Sequence, residues 1–311
     1  MAAAHEPLAP YPSPEERDAE LSALVELLDA RLHRYGTSVE GRPLHAVRVA
    51  CAGPRQKGQV LCVANLHGLE WVGNRVAVGL LRAVLDGEPE VARLLEDAAL
   101  VVVPCANPDG YARVYRQGGR GNLRELRTNA RGVDLNRNFP PPQGALLGSW
   151  PGAGSRRPGT RTYRGEAPLS EPESRALAAF LDENTFVGSV SLHSYMGTLI
   201  TPRLPSRQEY GAYDELCAVF RAHQRRWRYR RFASRRFDTF TGELEDYQHH
   251  HHRTWATCVE VFPLLESWRQ HRRAPSLFWR FNPRDPQLFV HNDVPAIIAF
   301  FRMCVERGPV P

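Results

Sequence analysis

The chain has 311 residues, 42% of them hydrophobic and 24% charged, with a formal net charge of +6. That length suits one large α/β domain or two ordinary ones, and the composition is globular, which excludes a disordered or fibrous chain. No apolar run is long enough to span a bilayer, and no basic stretch followed by an apolar one marks a secretory signal, so a cytoplasmic address is the expectation. An excess of Arg permits an acidic partner without requiring one. The cysteines, Cys51, Cys62, Cys105, Cys217, Cys258 and Cys304, are scattered without a CxxC pair. Several lie in apolar strand-like runs and read as reduced core residues rather than as disulfides or a Cys–zinc site.

The first predicted element is a helix over residues 15–34, with Ser13 as N-cap, Pro14 in the first turn and Leu21, Leu24, Val25, Leu28 and Leu32 on one face. Strands at 37–40 and 43–50 form a hairpin. The run 59–64, QVLCVA, is continuously apolar and reads as a central strand. A helix follows at 74–85, then a second buried strand at 99–104. Asn107-Pro108-Asp109-Gly110 is turn chemistry. Residues 149–165, rich in Gly, Pro and Arg, form an ordered surface loop. Ser170-Glu171-Pro172-Glu173 opens a helix to residue 181, with Ser170 as N-cap and acidic residues at the positive end of the dipole. Buried strands at 188–192 and 257–262 and a closing helix at 294–306 complete the pattern. Alternating strands and helices predict an α/β fold with helices on both faces of the sheet.

The chemistry-bearing residues lie where these strands end. His67 and Glu70, in Asn65-Leu66-His67-Gly68-Leu69-Glu70, follow the first central strand, and His193 follows another. Imidazole nitrogen and carboxylate oxygen are zinc donors, and three protein ligands leave room for a water. A lone HxxE reads more simply as a surface turn. Its place at the carboxyl end of a buried strand, where open α/β sheets bind ligands, favours the metal. Glu260 sits inside the apolar run Ala256–Pro263, where a carboxylate is costly without a partner or a task. It reads as a general base whose surroundings raise its pKa; the alternative is a side chain that escapes to solvent. In Asp134-Leu135-Asn136-Arg137-Asn138-Phe139-Pro140, Asn136 and Arg137 can grip a free carboxylate, and Arg127 upstream can face an oxyanion. The plain alternative for either Arg is a solvated surface residue.

From about Glu40 to Pro263 the sequence resembles the zinc carboxypeptidases of the carboxypeptidase A type, metallopeptidase family M14. The resemblance rests on EGRPL, NLHGLEW, NPDGYA, DLNRNFP, YRGEAPLSEPE, SLHSY and CVEVFP, in that order. It implies a mixed, mostly parallel eight-stranded sheet flanked by helices on both faces. Residues 1–36 would be an N-terminal helical segment packed on the same domain, and 37–311 the zinc carboxypeptidase-like catalytic domain. It implies one zinc ion on His67, Glu70 and His193, catalysis by Glu260, oxyanion binding by Arg127 and a terminal-carboxylate grip by Asn136 and Arg137. The expected substrate is a peptide or acyl amino acid with a free carboxylate, and no membrane partner is expected.

The pattern departs from that family at the mobile Tyr that closes over substrate: a gapless count puts Asp238 there, with Phe237 and Phe240 nearby. Glu245 falls at the base of the family's specificity pocket, where an acidic floor would favour Lys, Arg or a diaminopimelate side chain. Glu245 and Tyr195, the latter in the motif of His193, count as substrate-binding. The run His249–His252 reads as a partly exposed segment rather than a second metal site. The eight Arg of residues 221–236, interleaved with Trp227, Tyr229 and Phe232, read as a strand and helix end with snorkelling side chains. Two rival functions remain: an amidohydrolase acting on N-acyl amino acids or cell-wall peptides, and an inactive protein that binds nucleic acid through that Arg/aromatic segment.

Overall fold

Five apolar residues in sequence, Val60 to Ala64, all buried, place β3 (Gly58–Ala64) at the centre of a sheet, where neither face of that run meets water. The structure, a computed structural model, describes residues 8–50, 52, 56–145, 152–233, 240–273 and 276–311. Its other strands are β1 (Arg31–Thr37), β2 (Pro43–Val49), β4 (Ala98–Val103), β5 (Gly188–Ser194), β6 (Thr198–Ile200), β7 (Arg230–Phe232) and β8 (Trp255–Val261). They form one eight-stranded sheet in the order β1-β2-β4-β3-β5-β8-β6-β7. The four central strands β4, β3, β5 and β8 run parallel, so their carboxyl ends share one edge. β1, β2 and β6 pair antiparallel and make the sheet mixed.

The helices are α1 (Pro14–Leu27), α2 (Trp71–Leu85), α3 (Pro89–Asp97), α4 (Pro108–Arg116), α5 (Leu123–Arg127), α6 (Pro172–Asp182), α7 (Arg207–His223), α8 (Leu244–His252), α9 (Leu264–Arg273), α10 (Leu277–Phe281) and α11 (Gln287–Arg307). One core joins α2, α3, α7 and α11 to one face of the sheet. A second joins α6 and α8 to the other face. At Gly73 of α2 an added Cβ would lie 2.9 Å from the Leu192 carbonyl oxygen, so this helix sits directly on β5.

Several boundaries differ from expectation. The first helix ends at Leu27, because Asp29 adopts a left-handed φ of 47° and Arg31 enters β1. Leu28 and Leu32 imitate a helical spacing, but Leu32 lies on the edge strand opposite Val47. The hairpin strand expected at 37–40 is therefore β1, ending at Thr37. Asn107 and Pro108 form an N-cap and first turn rather than an isolated turn, since the Asn107 side chain accepts from Gly110 N and α4 continues. Glu171, not Ser170, caps α6; the Ser170 hydroxyl instead donates to Glu171 Oε1. α11 begins at Gln287, seven residues before its strongly apolar half. It is long and apolar enough to cross a membrane by length and composition, although Asn292 and Asp293 interrupt any continuous apolar run. Most of it is buried in the core.

The described cysteines are free and buried, and Cys51 lies outside the described residues. The aromatics of the Arg-rich segment are engaged within the fold. Trp227 stacks on Phe289, and Tyr229 is buried with its hydroxyl donating to Asp293. Arg231 pairs with Asp214 and covers Tyr210. The rings of Trp227 and Tyr229 are thus not free to stack on bases, whereas Phe232 is 46% exposed. His249 meets Tyr213, His250 the Arg203 carbonyl, His251 the Tyr247 ring and His252 both that ring and Asp182, so each histidine of the run is engaged within the fold.

Candidate metal centre and catalytic site

The loop after β3 is shaped by its own polar residues. Asn65, at a φ of 53°, donates to the Glu70 carbonyl at 2.9 Å and folds the loop back on itself. Gly68 is required by close approach: a Cβ there would lie 2.7 Å from the backbone of Gly110. Its N–H donates to the Arg127 carbonyl at 2.9 Å, which ties this loop to α5. Trp71 stacks on Tyr111 with ring centroids 3.9 Å apart, and Asn282 Oδ1 accepts from both Trp71 N and Val72 N. The first turn of α2 is thus capped by a residue distant in sequence, and Glu70, just before it, is held rigidly.

The three expected ligands converge. Ligand atoms of His67, Glu70 and His193 all lie within 4.8 Å of one another, and all three residues are buried. His67 Nδ1 is 2.9 Å from Glu70 Oε1 and 2.9 Å from His193 Nδ1, which is 3.0 Å from Glu70 Oε2. On the far side of its ring, His67 Nε2 is 3.0 Å from Asp134 Oδ1. Donation to that carboxylate leaves a lone pair on Nδ1, aimed at the centre. Two imidazole nitrogens facing each other can share at most one proton, so a divalent cation suits this donor set. Against its burial, His67 and His193 hold the Glu70 carboxyl below the usual range. Arg127 and His67 do the same for buried Asp134. Among the described residues a second cluster with metal-ligand spacing joins His193, Glu245 and Cys258.

Glu260 faces His193 in register across β5 and β8. It keeps partial contact with solvent, yet desolvation and then the Glu70 carboxylate push its pKa up to about 8. Arg127 donates from Nε to Asp134 Oδ2 at 2.8 Å, and its Nη1 is 3.5 Å from Glu70 Oε1, so it stands at the rim of the ligand cluster. Asn136 accepts from Leu244 N through Oδ1, which turns its amide nitrogen toward His193 Nε2, 3.4 Å away. Arg137 is buried. Its guanidinium lies 4.5 Å from the Phe240 ring centroid and 3.6 Å from Glu243 Oε1, with Nε unpartnered among the described residues. Asp238 and Phe237, at the position of the expected lid, lie outside the described residues.

The remaining two expected residues separate. Glu245 is buried, not turned to solvent: Ser191 Oγ donates to its Oε1, while Oε2 has no partner among the described residues. Tyr195 packs edge-on against Phe281 at 4.6 Å and takes the Arg280 guanidinium on its ring. Asp134 and Glu243 carry roles that the sequence reading did not assign. Asp134 was visible inside the DLNRNFP motif, two residues before Asn136. Glu243 had no signal beyond its place in an acidic loop.

Comparison with known proteins points one way. A family model described as zinc carboxypeptidase matches residues 24–263. Carboxypeptidase D of Mus musculus is 36% identical over 192 residues, which is 53% of this chain and 12% of that protein. Carboxypeptidase B2 of Rattus norvegicus is 30% identical over 193 residues, 59% of this chain and 44% of that one. The chain therefore matches less than half the length of either relative. Bovine thrombin-activatable fibrinolysis inhibitor, solved in complex with tick carboxypeptidase inhibitor, superposes with a TM-score of 0.74. That similarity covers 96% of this chain and 98% of that one at 20% identity, and it speaks to the fold.

Proposed function

The chain belongs to the zinc carboxypeptidase family, and on that premise we propose that it is a zinc metallocarboxypeptidase that hydrolyses the C-terminal peptide bond of peptides. The observation that carries this reading is the convergence of His67, Glu70 and His193 within 4.8 Å, with buried Arg137 nearby. Those three residues would hold one zinc ion, which when bound supplies Lewis acidity toward the scissile carbonyl and toward water.

The chain's own residues divide the remaining work. Asn136 and Arg137 grip the substrate's terminal carboxylate and so fix which bond is cut. Glu260 accepts a proton from water as the water oxygen bonds to the carbonyl carbon. It returns that proton to the nitrogen as the C–N bond breaks. Arg127 donates hydrogen bonds to the oxyanion that forms between these events. Asp134 holds both His67 and Arg127, so ligand and oxyanion donor share one anchor.

The proposed preference is for a basic terminal residue. Its support is the buried carboxylate of Glu245, with one oxygen unpartnered beside Ser191. The test compares peptides ending in Lys, Arg, Phe and Asp with matched N-acyl amino acids, each with and without a chelator. Chelator-sensitive release of terminal Lys or Arg is expected. Activity confined to acyl amino acids would replace the peptidase with a deacylase, and fastest release of Phe or Asp would remove the basic preference.

A further inference from the structure

A cleft of about 870 Å³ opens beside the site and takes no part in the chemistry above. Its floor is apolar and unusually exposed: Leu264, Leu265 and Trp268 of α9 each show 53% of their surface, and Met196 shows 47%. Its walls carry Arg228, Arg230 and Arg280, all exposed, and among the described residues no Asp or Glu lines it. Among the described residues none of these three arginines has an acidic partner; Arg280 only covers the Tyr195 ring. Thr198 Oγ1 and His271 Nδ1, buried atoms of two further lining residues, have no hydrogen-bond partner. A solvent-facing apolar floor within an unneutralised cationic wall is the composition of a binding surface rather than of a resting one.

The cleft is continuous with the catalytic strand. Gly197, in its wall, donates its N–H to the Glu260 carbonyl at 2.8 Å. Thr198 is the register partner of Glu260 across β6 and β8. Tyr195, two residues after ligand His193, lines the cleft. With the carboxylate grip of Arg137 and Asn136 on the leaving side, a peptide must extend away from it on its acyl side. We propose that this cleft receives the acyl side of the substrate, and that it selects peptides carrying acidic side chains among apolar ones upstream of the cleaved bond. The inference rests on the carboxypeptidase reading and names its substrate class. Aliphatic Leu264, Leu265 and Met196 fit apolar side chains. They offer no stacking platform, and Trp268 already lies under Arg272, with 5.0 Å from the guanidinium carbon to the ring centroid, so nucleic acid fits this surface less well.

The test uses the zinc-loaded full chain and three peptides with the same last two residues, preceded by Glu-Leu-Glu, Gly-Leu-Gly or Lys-Leu-Lys. Two partly solvated ion pairs should favour the acidic peptide over the basic one about tenfold in kcat/KM, mostly through KM, and high salt should shrink the gap. The double variant Arg228→Glu, Arg230→Glu should abolish or invert that order and leave the Gly peptide within about twofold, since both side chains are on the surface. Trp268→Ala should weaken all three peptides alike. Equal rates for the three peptides in the wild type, or a preference that survives the double variant, would overturn the inference. Fluorescence anisotropy of the labelled acidic and basic peptides, and of a single-stranded oligonucleotide, reads binding without cleavage. If no peptide is hydrolysed, the carboxypeptidase reading fails, while selective capture of the acidic peptide, lost in the double variant, would still support the cleft. Tighter capture of the oligonucleotide, or no capture at all, would overturn it.

Discussion

Replacing Arg137 by Ala separates an exopeptidase from a hydrolase that ignores chain ends. In the fold this guanidinium is buried beside the Phe240 ring, and among the described residues its Nε has no partner while the Asn136 carbonyl and Glu243 lie near Nη1. Donor capacity is therefore left for a ligand. A terminal carboxylate taken by two charge-assisted hydrogen bonds gains ~1.5–3 kcal/mol from each, about 3–6 kcal/mol in total. Arg137→Ala should accordingly lower kcat/KM by about 10²–10⁴-fold on peptides with a free carboxylate. The matched C-terminal amide can lose at most a neutral hydrogen bond, ~0.5–1.5 kcal/mol, or about 2–10-fold. The assay is a paired measurement of kcat/KM on acid and amide forms of one peptide, for wild type and variant, with circular dichroism to confirm folding. A collapse of the acid/amide ratio toward one is expected. Equal losses on the two substrates would show that Arg137 supports the fold and does not grip the terminus.

Glu260→Gln should retain zinc, measured by metal analysis after dialysis, yet lower kcat by about 10²–10⁴-fold; a variant with near-normal turnover would remove Glu260 as the base. Asp134→Asn loses the anion that accepts from His67 and Arg127, and zinc affinity by chelator competition should fall about 10–100-fold, where an unchanged affinity would deny it that anchoring role. His249 is buried, and its burial, with His250 next, lowers its pKa from 6.5 to about 3. The unfolded chain then binds more protons than the folded one between those values, so this residue's contribution is intact above about pH 6.5 and is lost as pH falls toward 3, up to ~5 kcal/mol. Urea unfolding from pH 7 to pH 4 should show stability declining with acid, less steeply in His249→Gln; parallel slopes for the two proteins would refute the assignment.

The central sheet and the ligand set were legible because burial and chemistry there use short-range signals. The apolar run of β3 marks a buried strand and the edge at which it ends, His67 and Glu70 follow that edge within six residues, and His193 stands in the last two residues of β5. Glu260 was legible for the opposite reason, as one charge inside an apolar run. Limits appeared where the deciding partner is distant. The end of α1 depends on Asp29 and on pairing of Arg31–Thr37 with β2, which the spacing of Leu28 and Leu32 conceals. Asn282 caps α2 across more than two hundred residues, so the start of that helix could not be read locally. Glu243 gains its meaning only when the loop at Gly242, with a φ of 74°, folds onto the Arg137 backbone. The burial of Glu245 likewise needs Ser191 of another element to become visible.

His193 and Glu260 stand opposite each other on neighbouring parallel strands. Their separation is consequently a property of the sheet, set by the ~4.8 Å spacing between strands rather than by any loop. The grip, the acidic floor and the outer cleft hang instead on segments around Arg137, Glu245 and Trp268. Substitutions in those segments can redirect the protein to new peptides while the distance between metal ligand and base stays fixed. In such a layout, catalytic competence and substrate choice are inherited separately.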